Sequence, residues 1–162
     1  MNRGLIKGCS GDLDGAMKDC NSVIESLNAP PDALANAYLN RSTIRVWRFE
    51  DDGALADCNS ALGVPGAPPD AVARTLVNRS LLRQVQGDLD GAVADYNSVL
   101  EVPGTAAEPI AKALIRRGDI RTKRGDLTGA LADYVRVVEL RDAPEAQVAE
   151  AHLHEPPQAH RD

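Results

Sequence analysis

Apolar and small residues return along this chain at helical, not strand, spacing. In the stretch 89–100, Leu89, Ala92, Val93, Tyr96, Val99 and Leu100 fall at i, i+3, i+4, i+7, i+10 and i+11, which gathers them into one stripe of an amphipathic helix. Just before it, Val72, Ala73, Leu76, Val77 and Ser80 follow the same period. The pattern predicts a first helix, A, over about 69–86 and a second, B, over about 89–102. In the same register, A helices are expected at 2–10, 31–48 and 106–124, and B helices at 13–27, 51–62 and 127–141. A further helix at 143–153 opens another pair, making nine in all, the first and last partial.

Breaks in the pattern carry turn chemistry. Gly87-Asp88 separates A from B: the glycine reaches backbone conformations that strain other residues. Asp88 is placed to cap helix B and meet its positive end. Pro103-Gly104 ends the pair, and Pro68-Pro69-Asp70 starts an A helix in the way a first-turn proline permits. Thr105-Ala106-Ala107-Glu108 has the spacing of a capping box. Asp51 and Asp52 read as caps of their B helix. The preceding turn carries Phe49 where the other copies have glycine, which predicts a distorted turn.

The pairs are copies of one another. A Gly-Ala step falls at Gly15-Ala16, Gly53-Ala54, Gly91-Ala92 and Gly129-Ala130, always 38 residues apart. A second marker keeps that interval: Asn2-Arg3-Gly4, Asn40-Arg41-Ser42, Asn78-Arg79-Ser80 and Arg116-Arg117-Gly118. A fixed period of this size marks a repeat array. Its units are 2–39, 40–77, 78–115 and 116–153 within a repeat domain spanning 1–154, and the segment 155–162 is expected to fray. Two charged positions also recur: Arg3, Arg41, Arg79 and Arg117 on the A helices, and Asp19, Asp57, Asp95 and Asp133 on the B helices. We read them as an ion pair tying A to B, in preference to a ligand-facing arginine row. Ala16, Ala54, Ala92 and Ala130 are small where B packs closely on A.

Composition narrows the function more than the fold. A net charge of −6 gives no general reason to bind nucleic acid or anionic membrane, and 3% aromatics leave little for base stacking. No apolar run has the length of a membrane span, and the first residues show no signal-peptide core. Cys20 and Cys58 share one repeat position, filled by Tyr96 and Tyr134 in later copies, so they read as core residues; an odd count of three cysteines and no export signal point to a reducing, cytoplasmic setting. His152, His154 and His160 cluster near the C-terminus, but His152 and His154, two apart, point to different helix faces. No metal site, cofactor site, nucleophile–base constellation or phosphate-cradling loop is expected, and no enzymatic activity.

Taken together, Asn-Arg-Ser/Gly in helix A, Gly-Asp-Leu at the turn and Ala-x-x-Asp-Tyr in helix B resemble the tetratricopeptide repeat (TPR) family, over residues 2–153. The period is longer than the 34 usual in that family, and the extra residues fall in the Pro/Gly loops between units. The helix A position where the family carries Tyr holds Lys7, Arg45, Arg83 and Arg121.

The resemblance implies an all-α, right-handed α-solenoid of antiparallel helix pairs whose concave groove takes a peptide or protein segment, in a scaffold or adaptor role. It also implies a site. One TPR subclass grips C-terminal carboxylates with an Asn on one A helix and a Lys and an Arg, four apart, on the next. Asn78, Lys112 and Arg116 match those positions, and Arg74 and Asn40 would widen the polar strip. The family's remaining Lys and Asn are Leu39 and Thr43 here. The partner expected is an acidic C-terminal tail or a generic peptide. The other reading is a structural fragment or self-assembling subunit of a longer array, in which 143–153 completes the partial first unit of another copy, head to tail.

Overall fold

The computed structural model describes residues 12–154. Within them lie eight α-helices and no strand: α1 (Leu13–Ile24), α2 (Pro31–Trp47), α3 (Asp51–Leu62), α4 (Pro69–Val85), α5 (Leu89–Glu101), α6 (Ala107–Lys123), α7 (Leu127–Glu139) and α8 (Glu145–His154). The expected helix at 2–10 lies outside the described residues, as do Arg3 and His160. The other helices stand where the periodicity puts them, their ends shifted by at most three residues.

The chain divides into two compact units, Met1–Pro68 and Pro69–Asp162. In the first, α2 packs on α3 and on α1. Its core holds Ala35, Leu39, Ile44, Ala54 and Cys58, with Cys20 on α1. In the second, α4 pairs with α5 and α6 with α7, while α5·α6 and α7·α8 form the seams between pairs. The A-type helices α4, α6 and α8 also touch one another in sequence. Leu114, Ile115, Tyr134, Val137 and Ala151 close the core where α6, α7 and α8 meet. Burying each of the larger of these side chains is worth about 1.5–3 kcal/mol.

The Gly-Ala step has two separate causes. Asp12, Asp88 and Asp126 cap their B helices by accepting from the amides of Gly15, Gly91 and Gly129 at 2.7, 2.8 and 2.9 Å. A Cβ at Gly91 would stand 2.0 Å from the Asp88 carboxylate, so the cap excludes any side chain there. The alanine beside it packs tightly: Ala54 and Ala92 are fully buried and Ala130 nearly so. Ala16 is exposed, and the segment 2–10 expected to pack on it lies outside the described residues.

Three local expectations are corrected. Thr105 forms no capping box: its hydroxyl donates to the Val102 carbonyl at 2.8 Å, and α6 starts from Ala106 with no side-chain cap. Asp51 and Asp52 are not caps but first-turn residues of α3, where the helix dipole favours them; Glu50 holds the cap position without a side-chain bond. The turn at Phe49 is not distorted. The Glu50 amide donates to the Arg45 carbonyl at 2.9 Å, as Asp88 does to Arg83 at 2.8 Å and Asp126 to Arg121 at 2.9 Å. The strain falls on Phe49 itself, at φ 60°, where Gly87 and Gly125 adopt 84° and 82°.

Left-handed backbone at a non-glycine residue costs roughly 1–2 kcal/mol, and Phe49 is 77% exposed, so little packing offsets it. Phe49→Gly should therefore raise the unfolding free energy by about 1 kcal/mol in denaturant titration of the full chain, and Gly87→Ala should lower it by a similar amount. A destabilised Phe49→Gly protein would show that the phenyl ring packs more usefully than its exposure suggests.

Candidate functional site

The recurring Arg and Asp meet in the interior. Asp57, Asp95 and Asp133 are 2–3% exposed. Arg41 grips Asp57 through Nε and Nη2 at 2.9 and 2.6 Å, Arg79 grips Asp95 at 2.9 and 2.6 Å, and Arg117 grips Asp133 at 3.0 and 2.5 Å. Each is a two-pronged guanidinium–carboxylate fork, the strongest geometry this pair offers. A second arginine one helical turn on joins each fork. Arg45 reaches Asp57 at 2.9 Å, Arg83 reaches Asp95 at 3.0 Å and Arg121 reaches Asp133 at 2.8 Å. The same Nη1 donates to the Gly53, Gly91 or Gly129 carbonyl at 2.8–3.0 Å.

Pairing the first arginine with the aspartate is legible from the sequence; the second arginine is not. Its only signal is a cation that recurs four residues after the first arginine, at Arg45, Arg83 and Arg121. The hydrogen bonds that Arg41 donates to Asp57 hold its guanidinium above even its ordinary high pKa. Arg41 also donates to Asn21 on α1 at 2.7 Å, and Arg117 to Asn97 on α5 at 2.6 Å. These arginines are committed to the scaffold and leave ligand contact to other residues.

A groove opens where α4, α6 and α8 lie side by side. It is a cleft of about 350 Å³ lined by Val77, Asn78, Leu81 and Gln84 from α4, Lys112, Ile115 and Arg116 from α6, and Gln147 and Glu150 from α8. Three of the five site residues named from the sequence, Asn78, Lys112 and Arg116, therefore converge. Arg74 does not line the cleft: it is half exposed and lies 3.8 Å from Asp70 on its own helix. Asn40 is exposed on α2, in the other unit. Tyr96 is fully buried behind α4, its hydroxyl accepting from Gln84, and burial raises its pKa.

Both groove cations face carboxylates of the chain itself. Lys112 Nζ is 2.6 Å from Glu108, whose pKa this hydrogen bond lowers. Arg116 Nη1 is 3.3 Å from Asp119 and 3.4 Å from Glu150. The Lys112–Glu108 pair is exposed and weak, about 0–1 kcal/mol, and Arg116 reaches its two partly covered carboxylates only at 3.3 and 3.4 Å, so an incoming carboxylate can exchange with them. The Gln147 amide oxygen is buried without a hydrogen-bond partner.

A second cleft, also about 350 Å³, is lined by Thr122, Leu127, Thr128, Ala130, Leu131, Tyr134 and His154. The His154 ring stacks on Tyr134 at 5.0 Å, and the Tyr134 hydroxyl donates to Asp119 at 3.0 Å. Among the described residues no group of three or more His, Cys, Asp or Glu could hold a metal ion. Cys20 and Cys58 are buried, and burial pushes the Cys20 thiol up. No described helix is long and apolar enough to cross a membrane. Compared with known proteins, the chain matches no family model and no curated sequence.

Removing the carboxylate from one fork leaves two guanidinium groups without their counter-charge. Asp95→Ala should destabilise the protein by about 3–5 kcal/mol. A double-mutant cycle between Arg79 and Asp95 should give a coupling above about 1 kcal/mol. Denaturant unfolding of the four proteins checks this; a coupling near zero would mean that the fork contributes nothing beyond its parts.

Proposed function

We propose that this chain is a non-enzymatic interaction module of the tetratricopeptide-repeat kind, which binds a peptide or protein segment in the groove between α4, α6 and α8. The paired helices, the strict 38-residue period and the A-against-A packing in the second unit support a right-handed α-solenoid as its architecture. A cytoplasmic setting fits the buried Cys20 and Cys58 thiols.

One observation carries the reading: Asn78, Lys112 and Arg116, on two different helices, line one cleft together with Val77, Leu81 and Ile115. Apolar residues with a few convergent polar groups are what a recognition groove needs. Lys112 and Arg116 sit one turn apart on the same helix face. The planar Arg116 fork can hold a carboxylate with two parallel bonds, and Asn78 can add a neutral donor. The ligand class that fits is an acidic peptide ending in a free carboxylate.

Arg116→Ala should weaken such a peptide by about 1.5–2 kcal/mol, the lower part of the range for charged hydrogen bonds, because Arg116 must first release Asp119 and Glu150. Amidating the peptide's C-terminus should cause a similar loss in calorimetric titration. Binding indifferent to both changes would leave a groove that does not read the carboxylate.

A further inference from the structure

The repeat period sets Arg74, Lys112 and Glu150 at one shared position of α4, α6 and α8. The cation row thus ends in an anion. Glu150 extends from α8 into the groove and stops 3.4 Å from Arg116, with its side chain 36% exposed. That distance separates this contact from the scaffold forks, which close to 2.5–2.6 Å. A charge-assisted bond at full strength lies near 2.7–2.9 Å, so Arg116 and Glu150 are adjacent without being locked together.

We infer that Glu150 is a built-in competitor for the groove: its carboxylate occupies the Arg116 guanidinium in the absence of ligand, and an acidic peptide binds by displacing it. This rests on the reading of the groove as a carboxylate site. Displacement needs only a turn of the Glu150 side chain. The helix itself stays seated, because Ala151 beside it is fully buried in the core between α6 and α7.

The test is titration of an acidic peptide with a free C-terminus into the full chain and its Glu150→Gln variant, which keeps the shape and removes the charge. Glu150→Gln should tighten the dissociation constant by roughly two- to five-fold, the size of one exposed ion pair. Glu150→Lys, which extends the cation row, should tighten it further. In an Arg116→Ala background Glu150→Gln should not produce that gain. Equal thermal unfolding of wild type and Glu150→Gln would confirm that α8 is still seated. If wild type discriminates free from amidated peptide but Glu150→Gln binds no more tightly, the competitor is overturned and the groove stands. If no variant discriminates the two peptides, the groove reading falls, and the competitor with it.

Discussion

A buried carboxylate shared by two arginines is the constraint on which each helix pair depends. Asp57, Asp95 and Asp133 leave water almost completely, which is unfavourable for a lone charge by several kcal/mol. Two guanidinium groups one turn apart on the facing helix restore that loss only if the B helix sits at one height and rotation against A. The second arginine also donates to the carbonyl of the glycine at the start of B. The fork therefore fixes where B begins as well as how it packs. Apolar burial drives the pairing; the charges choose one geometry among the many that small alanines would tolerate.

This division of labour explains what a reader of the sequence could see. The helices, their order and their phase follow from a hydrophobic period of 3.6 superposed on a repeat of 38 residues, and those among the described residues appear where expected. The aspartate cap at Asp88 and the Arg79–Asp95 pair were also legible, because each needs only residue type and spacing. What escaped was set by competition between partners. Thr105 has the right residue type for a cap, but its hydroxyl goes to the Val102 carbonyl instead. Phe49 has the wrong residue type for its turn, but the backbone bonds around it hold the shape and impose a positive φ.

The site shows the same limit. The resemblance to carboxylate-gripping repeats singled out Asn78, Lys112 and Arg116, and the alignment of α4 with α6 brings them to one cleft. Arg74 has the correct register yet turns toward Asp70, a nearer carboxylate on its own helix. The role of α8 was invisible for another reason. It depends on a side chain, Glu150, that breaks the repeat's charge pattern, and a search for recurring residues passes over the position that differs. The structure also supplies Lys112 and Arg116 each with a carboxylate of the chain itself, which the match of positions does not reveal.

The asparagines at Asn21 and Asn97 reach from one B helix to the arginine at the centre of the following A helix. Each such arginine is thus completed by residues on both sides of a pair boundary. The smallest interchangeable piece is accordingly not the helical hairpin that the eye picks out but a window running from one Asn to the Asp of the next pair. Recombination that lengthens or shortens such a chain preserves every guanidinium's partners only when it adds or removes whole periods, wherever the crossover falls. A chimera joined to repeats of a different length would keep its hairpins and lose the bonds that index them.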